Sequence, residues 1–262
     1  MMKPIQLFFV LLIFSASVFA NAQENKSGTL FQVSTISALA QGVYDGDFSY
    51  VELFKHGNFG LGTFNRLDGE MVAVDGKFYQ IASTGKLREV TPQDFTPFAE
   101  VTFFKPDIYF DIENIKDFQA LTTLLSKHFT YKNKPYAIRI DGDFAELKLR
   151  SVAAQKKPYP PLLAATKDQA EFTLNHVKGT IIGFWFPQYW MGIAVPGLHL
   201  HFINAERTTG GHVLEIAVVK GKVSLQSLNT VAVSLPNTVE FSAVDLSDES
   251  IHGDIEKAEK SS

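Results

Sequence analysis

Alternating apolar and polar residues fill much of the chain after residue 22, and this two-residue period predicts short β-strands. The clearest run is a β-meander, in which the pairs Asp68-Gly69 and Asp75-Gly76 separate strands at residues 62–67, 70–74 and 77–82. Both pairs suit the positive φ angles of tight turns, so two consecutive hairpins are expected. Further strands are expected at residues 29–33, 86–90 and 100–104.

Helical patterns are fewer. Thr35 is expected to cap a short helix over residues 36–41, and residues 51–56 predict a second helical turn. Asn114 is expected to cap a longer helix, residues 115–128, whose apolar residues recur at intervals of three and four. After that helix, the pair Asp141-Gly142 predicts another hairpin with strands at residues 136–141 and 144–152.

Residues 155–161, QKKPYPP, favour an extended connection because three of the seven are proline, and a domain boundary is predicted after residue 155. Residues 162–177 are expected to be loosely helical or irregular. Strands then follow at residues 179–186, 198–203, 212–219, 222–228, 231–235 and 240–244, before a weakly helical tail at residues 250–260. The pattern predicts a β-rich mixed α/β protein with domains at residues 23–155 and 156–262.

The segment that carries most of the candidate chemistry is residues 195–214, VPGLHLHFINAERTTGGHVL. In a strand over residues 198–203, His199 and His201 lie on one face and the apolar residues lie on the other. If the following turn is centred near Glu206 and Arg207, His212 on the next strand lies directly opposite His201. The sequence therefore predicts three imidazoles around one point.

Three neutral imidazoles leave a fourth coordination position for water or substrate, which is typical of catalytic zinc. The chain has no cysteine, and closed structural zinc sites are usually built largely from thiolates. The alternative is a pair of histidines on a half-exposed strand, with the third histidine unrelated to them. The absence of cysteine also excludes disulfides.

Residues 1–22 predict a secretory signal, because Lys3 precedes an apolar run and Ala20-Asn21-Ala22 provides small residues for cleavage after Ala22 or Ala20. The protein is therefore expected to be exported, to the periplasm or the medium. Its apolar run is too short for a spanning helix, so no membrane association is expected. The net charge of −4, without a basic cluster, argues against a nucleic-acid partner.

Several separated motifs resemble the alpha-acetolactate decarboxylase family over nearly the whole exported chain. They are LGTFNRLDGEM at residues 61–71, RSV at 150–152, KPYPP at 157–161, and GLHLHF at 197–202 with Gly211-His212. The resemblance implies a homodimeric zinc enzyme that converts (S)-2-acetolactate to (R)-acetoin and carbon dioxide. It also implies a two-domain α/β subunit whose C-terminal domain contains a small β-barrel.

The same resemblance assigns roles to individual residues. It places the metal ligands at His199, His201 and His212, an acid/base carboxylate at Glu70, and a substrate-binding arginine at Arg150. A hydroxyl lining the site falls on Thr63. The family also uses a glutamate from its C-terminal tail, for which Glu256 fits best and Glu259 and Glu249 are rivals.

Two other function classes are alternatives. An exported zinc hydrolase also needs an open histidine site and a glutamate base, but the chain contains no HExxH motif. A non-catalytic metal-binding or carrier protein would bind metal without any need of Arg150. A serine or cysteine nucleophile has little support, because there is no GxSxG motif and no cysteine.

Overall fold

The computed structural model describes residues 28–259, and the predicted signal sequence at residues 1–22 lies outside the described residues. The strands are β1 (Thr29–Val33), β2 (Phe48–Ser49), β3 (Phe59–Thr63), β4 (Glu70–Val74), β5 (Lys77–Ile81), β6 (Leu87–Glu89), β7 (Phe95–Thr96), β8 (Ala99–Thr102), β9 (Ile108–Ile115), β10 (Tyr136–Ser151), β11 (Ala170–Phe186), β12 (Gly197–Asn204), β13 (Gly210–Ser227) and β14 (Thr230–Ser234). The helices are α1 (Ile36–Ala40), α2 (Tyr50–Leu53), α3 (Phe118–Ser126), α4 (Leu162–Ala165), α5 (Val239–Ala243) and α6 (Ser250–Glu259).

Within residues 28–259, no helix combines the length and the apolar character needed to span a bilayer.

Two sheets organise the molecule. A seven-stranded sheet has the order β14-β1-β8-β3-β4-β5-β6, and a five-stranded sheet has the order β10-β11-β12-β13-β9. Strand β10 also pairs with β13, so the hydrogen-bonded pairing of β10, β11, β12 and β13 returns to its starting strand. This closed pairing is compatible with a small barrel, which stays a prediction, and the strand-rich mixed α/β class is confirmed.

The two sheets pack against each other through apolar side chains. Leu61 of β3 and Val72 of β4 share one buried cluster with Ile182 and Phe184 of β11. A second cluster fills the inside of the five-stranded sheet and includes Leu200 and Phe202 of β12. Because side chains alternate along a strand, the neighbours of these residues in sequence point to the opposite face. That alternation determines which polar groups meet between the sheets.

The predicted meander is confirmed in its order and antiparallel pairing, but its first strand is β3 (Phe59–Thr63) and not residues 62–67, because residues 65–67 form a 3-10 turn in which Arg66 and Leu67 have positive φ. Strand β4 has the predicted bounds, and Gly69 and Gly76 both adopt positive φ, at 83° and 77°, in the turns that precede and follow it. The short helix α1 begins after Thr35, whose Oγ1 accepts a hydrogen bond from the amide of Ala38 at 3.2 Å. Local turn and capping chemistry was sufficient to place these elements.

The predicted hairpin at Asp141-Gly142 is wrong, because β10 runs through this pair as one strand of 16 residues. Gly142 pairs with Gly179 on one side and Gly221 on the other. A Cβ added to Gly142 would lie 2.5 Å from the carbonyl oxygen of Lys220. This glycine therefore allows close contact between strands and does not make a turn.

Side-chain caps change two predictions of secondary structure: the start of the helix predicted at residues 115–128, and the strand predicted at residues 240–244. Asn114 belongs to strand β9, and helix α3 begins after Asp117, whose Oδ1 accepts from the amide of Ala120 at 2.7 Å. Residues 240–244 were expected to form a strand, but Thr238 caps helix α5 by accepting from the amide of Phe241 at 3.2 Å. The longer helix is therefore confirmed with a later start, whereas the predicted strand is wrong because the cap at Thr238 favours a helix there.

The predicted domain boundary after residue 155 falls between two paired strands. Strand β10 precedes it and β11 follows it, and the two pair antiparallel from Tyr136↔Trp185 to Ser151↔Ala170. Residues before the boundary also supply β9 to the five-stranded sheet, and residues after it supply β14 to the seven-stranded sheet. Each sheet is therefore built from both parts of the chain.

Candidate metal centre

The predicted histidine hairpin is confirmed in its register. His201 of β12 pairs directly with His212 of β13. On β12, Leu198, Leu200 and Phe202 enter the core of the five-stranded sheet, so His199 and His201 face the seven-stranded sheet.

The three imidazoles form a nearly equilateral triangle. The ring centroids are 5.4 Å apart for His199 and His201, 5.2 Å for His199 and His212, and 5.3 Å for His201 and His212. One nitrogen from each ring lies within 4.8 Å of the others, which allows the three to hold a metal ion. All three residues are buried, with relative exposures of 5%, 1% and 2%.

Hydrogen bonds orient two of the rings. A backbone carbonyl can only accept, so the Nδ1–H of His201 donates to the carbonyl of Met71 at 2.8 Å. By the same argument, the Nε2–H of His212 donates to the carbonyl of Glu259 at 3.2 Å. The lone pairs that remain, on His201 Nε2 and His212 Nδ1, are available to a metal, as in metal sites whose second ring nitrogen is hydrogen-bonded.

Burial keeps the imidazoles neutral. Desolvation, and then the charge of Arg150, lowers the pKa of His199 to about 3, and burial is also the main cause that lowers the pKa of His201 and of His212. A neutral imidazole is the form that coordinates a metal. The donor set therefore fits a divalent ion such as zinc.

Glu70 lies across the pocket from the hairpin, at the first position of β4. Its Oε2 is 3.5 Å from His201 Nε2. Burial raises the pKa of Glu70 to about 8, the charge of Arg150 opposes that rise, and the charge of Glu259 adds to it. The raised pKa favours the protonated carboxyl, which is the form of a general acid.

Arg150 enters the pocket from β10, where it pairs directly with His212. Its Nη2 donates to Glu259 Oε2 at 2.9 Å, and its Nη1 donates to the carbonyl of Ala258 and, at 3.3 Å, to Gln169 Oε1. Its Nε is buried and has no hydrogen-bond partner among residues 28–259. The guanidinium, which lines the same pocket as the three histidines, therefore has one N–H donor that is not used in the described residues.

The structure brings Glu259, and not Glu256, to the site. Glu259 Oε2 lies 3.7 Å from His199 Nε2 and 3.8 Å from His212 Nδ1. Helical periodicity is the reason: α6 buries Ile251, Ile255 and Glu259, which lie four residues apart on one face, whereas Glu256 is exposed. Glu249 precedes α6 and is also exposed.

Thr63 completes the predicted set at the end of β3, where it pairs with Glu70. Its hydroxyl is buried and donates to the carbonyl of Gly69 at 2.7 Å, which leaves its oxygen able to accept. One pocket is lined by Thr63, Glu70, Arg150, Glu259 and the three histidines. Its apolar wall consists of Ile36, Leu39, Leu67, Phe98, Val152 and Leu162.

One ionisable group beside this pocket was not predicted from the sequence. Glu100 of β8 is fully buried, and its Oε2 lies 3.9 Å from His199 Nδ1. Burial raises the pKa of Glu100 to about 8, with a further contribution from the charge of Glu259. The available signal was a glutamate between apolar Ala99 and Val101 in a predicted strand.

Comparisons with known proteins agree on one family. A family model described as alpha-acetolactate decarboxylase matches residues 30–248. The alpha-acetolactate decarboxylase of Bacillus licheniformis is 44% identical over 230 residues, which cover 88% of this chain and 91% of the relative. The one from Methylococcus capsulatus is 43% identical over 226 residues, with 85% and 87% covered. The crystal structure of the Bacillus subtilis strain 168 alpha-acetolactate decarboxylase superimposes with a TM-score of 0.87 at 41% identity, covering 89% of this chain and all of that one.

Proposed function

The chain belongs to the alpha-acetolactate decarboxylase family, and from this premise we propose that it converts (S)-2-acetolactate to (R)-acetoin and carbon dioxide. The proposed cofactor is one zinc ion held by His199, His201 and His212. One observation carries the proposal: three buried neutral imidazoles share a single pocket with an arginine and two glutamates.

The decarboxylation requires a group that accepts the electron pair left on carbon. When carbon dioxide leaves 2-acetolactate, its bonding electron pair stays on carbon, and the neighbouring ketone must accept it to give an enediolate. A zinc ion bound here would supply the Lewis acidity that stabilises this negative charge. The three histidines contribute by being neutral, because neutral ligands do not offset the positive charge of the ion.

Arg150 is proposed to bind the substrate carboxylate. A guanidinium matches the two carboxylate oxygens with paired N–H groups, and the buried Arg150 has an unused Nε donor within the described chain. Tight binding of the ground state alone would not accelerate the reaction. The more useful role is to hold the carboxylate out of the plane of the ketone. The carbon–carbon bond that breaks is then parallel to the π orbitals of the carbonyl, which accept its electron pair.

Glu70 is proposed to protonate the enediolate carbon. Burial raises the pKa of Glu259, and the charge of Arg150 and the hydrogen bond that it donates oppose that rise, whereas Glu70 lies on β4 with its Oε2 against His201 Nε2. Proton delivery from one wall only would give a single acetoin enantiomer. Thr63, which pairs with Glu70, offers its hydroxyl oxygen as an acceptor for the substrate hydroxyl.

We also propose that the protein is exported by its first 22 residues and works as a homodimer. The support for export is the charged, apolar and small-residue order of that segment. The support for a dimer is the family to which the chain belongs.

The direct test is to incubate the purified, zinc-loaded protein with racemic acetolactate, with and without a chelator, and to measure the acetoin formed and its handedness. We expect predominantly (R)-acetoin, with its formation lost on chelation. Zinc binding without acetoin formation would overturn the proposal and favour a hydrolase or a metal carrier. Racemic acetoin that forms equally well with the chelator would overturn it as well.

A further inference from the structure

Glu100 is an unusual carboxyl. Its side chain is fully buried, and neither of its oxygens has a hydrogen-bond partner within residues 28–259. Burying a polar group without a hydrogen-bond partner destabilises the folded state. A native fold keeps such a group only rarely, so Glu100 requires an explanation.

The position of Glu100 in the sheet excludes a purely local role. It pairs with Gln32 of β1 and Leu61 of β3. Its side chain therefore lies on the face of the seven-stranded sheet that packs against β11 and β12. The amide nitrogen of the neighbouring Gln32 is already used, because it donates to the carbonyls of Ser34 and Ile193. The other polar atom of this side chain, Gln32 Oε1, has no hydrogen-bond partner within residues 28–259, and a carboxylate cannot donate to it, so an ionised Glu100 gains no hydrogen bond from this neighbour.

A buried ring nitrogen of the proposed metal site also lacks a partner. His199 Nδ1 accepts or donates no hydrogen bond in the part of the chain that the structure describes, and it lies 3.9 Å from Glu100 Oε2. Its other nitrogen, Nε2, faces the pocket, 3.7 Å from Glu259 Oε2. The two unsatisfied groups thus face each other on the side of the ring away from the pocket.

Comparison with the other two histidines shows that His199 lacks an acceptor for its second ring nitrogen. His201 and His212 each donate one ring N–H to a backbone carbonyl and turn the other nitrogen to the centre. His199 has no carbonyl in that role among the described residues, and Glu100 occupies the corresponding place. Metal-bound histidines in general donate their second N–H to a carboxylate, a carbonyl or water.

We propose that Glu100 is the positioning residue of His199: its carboxylate accepts the Nδ1–H and so directs Nε2 to the metal. The inference rests on the proposed metal centre and adds a residue to it. The present separation exceeds a hydrogen bond by about 1 Å, a distance that a small rotation of the ring can close. Burial raises the pKa of Glu100, but a divalent ion held by the three histidines would favour its ionised form, and a negative acceptor makes the imidazole a stronger ligand than a carbonyl does.

The first experiment compares zinc affinities, measured by competition with a chromophoric chelator. Glu100→Gln keeps the shape of the side chain and removes its charge, and we expect it to weaken zinc binding about 10- to 100-fold. The matched control is Glu89→Gln, an exposed glutamate in β6 of the same sheet, which should bind zinc as the parent does. Equal affinity in Glu100→Gln and the parent would overturn the proposal.

The melting temperature of the metal-free protein separates positioning from a structural role. Glu100 makes no hydrogen bond that the glutamine would lose within the described residues, so the metal-free Glu100→Gln protein should melt no lower than the parent. A lower metal-free melting temperature with unchanged zinc affinity would mean that Glu100 only supports packing, which contradicts the proposal.

A measurement on the parent avoids the risk that the variant does not fold. Nitrogen-15 NMR of histidine-labelled, zinc-loaded protein reports which ring nitrogen of each ligand carries the proton. We expect two zinc-bound rings protonated at Nδ1, His199 and His201, and one at Nε2, His212. Coordination of His199 through Nδ1 would overturn the proposal. Tight zinc binding without acetoin formation would overturn the proposed function and leave the role of Glu100 intact, whereas a parent that binds no zinc would overturn both.

Discussion

Two arginine–carboxylate pairs in this molecule differ in a way that separates structure from chemistry. Arg88 and Asp94 are joined by two hydrogen bonds of 2.8 Å, and Asp94 accepts two more from Thr91. Arg150 and Glu259 share one bond of 2.9 Å, and both are buried. The exposed pair is the better satisfied of the two.

The difference shows which arginine has a buried hydrogen-bond donor without a partner. Arg88 closes a surface loop, lies 5.6 Å from the ring centre of Phe64 and uses both Nη groups in hydrogen bonds, and its side chain is 45% exposed, so solvent can satisfy its remaining donor. Arg150 keeps an unpartnered Nε within the described residues, next to three imidazoles. Burying a pair without completing its hydrogen bonds is costly, and the pocket tolerates this cost where a substrate carboxylate would complete them.

The largest effect is expected from Glu70, the carboxyl that faces the buried pair across the pocket. Glu70→Gln removes the proposed proton donor, and we expect kcat to fall about 10²- to 10⁴-fold. The residual product should lose its excess of (R)-acetoin, because protonation would no longer come from one wall. Zinc content, measured by elemental analysis, should be unchanged. A fully active Glu70→Gln enzyme would remove this residue from the mechanism.

The next effect tests the buried pair itself. Arg150→Lys keeps the positive charge beside Glu259 but removes the planar fork, and we expect kcat/KM for acetolactate to fall on the order of 10²-fold. The control is Arg88→Lys in the exposed pair, which should keep the parent rate. Similar rates for Arg150→Lys and the parent would mean that the buried pair is as structural as the exposed one.

A smaller loss is expected from the carboxylate of the buried pair. Glu259→Gln removes the ion pair with Arg150 and should lower kcat/KM about 10-fold, because the guanidinium loses the charge-assisted bond that orients it. Glu256→Gln, on the exposed side of the same helix, is the matched control and should have no effect. A larger loss of kcat/KM in Glu256→Gln than in Glu259→Gln would contradict this assignment and identify Glu256 as the tail residue of the site.

The smallest effect belongs to the exposed pair and concerns stability. The hydrogen bonds from Arg88 lower the pKa of Asp94 below its usual 3.8. A lowered pKa in the folded state adds stability above the pKa of the unfolded chain, and this contribution is lost as pH falls through the folded value. Asp94→Asn should therefore lower the free energy of unfolding by about 0.5–1 kcal/mol at pH 7 and by progressively less below pH 4. Denaturant unfolding at several pH values measures this, and a difference that grows in acid would contradict it.

Much of the site could be predicted from the sequence because its geometry is local. His199 and His201 share a face by the two-residue period alone, and the short connection after Asn204 sets His212 opposite His201. The tail glutamate was harder, although the spacing of Ile251, Ile255 and Glu259 carried the information. If the tail is taken as a helix that buries Ile251 and Ile255, Glu259 falls on the same buried face, and this follows from the sequence alone.

The remainder depends on contacts between distant segments. Nothing near Asp141-Gly142 in the sequence indicates that two other strands, at Gly179 and Gly221, pass close to it and straighten the chain. Glu100 meets His199 only because the two sheets stack, and the residues are 99 positions apart in the chain. Pairings of this kind follow from tertiary packing, which periodicity and turn chemistry do not encode.

The central claim is that one metal ion on three histidines, beside Arg150, performs the decarboxylation. Its most direct test is a zinc titration of chelator-stripped protein, with acetoin formation from acetolactate measured at each addition. The account predicts that the rate starts near zero, rises in proportion to added zinc and levels off at one ion per chain. Full activity in the metal-free protein, or one bound zinc per chain without any acetoin, would contradict it.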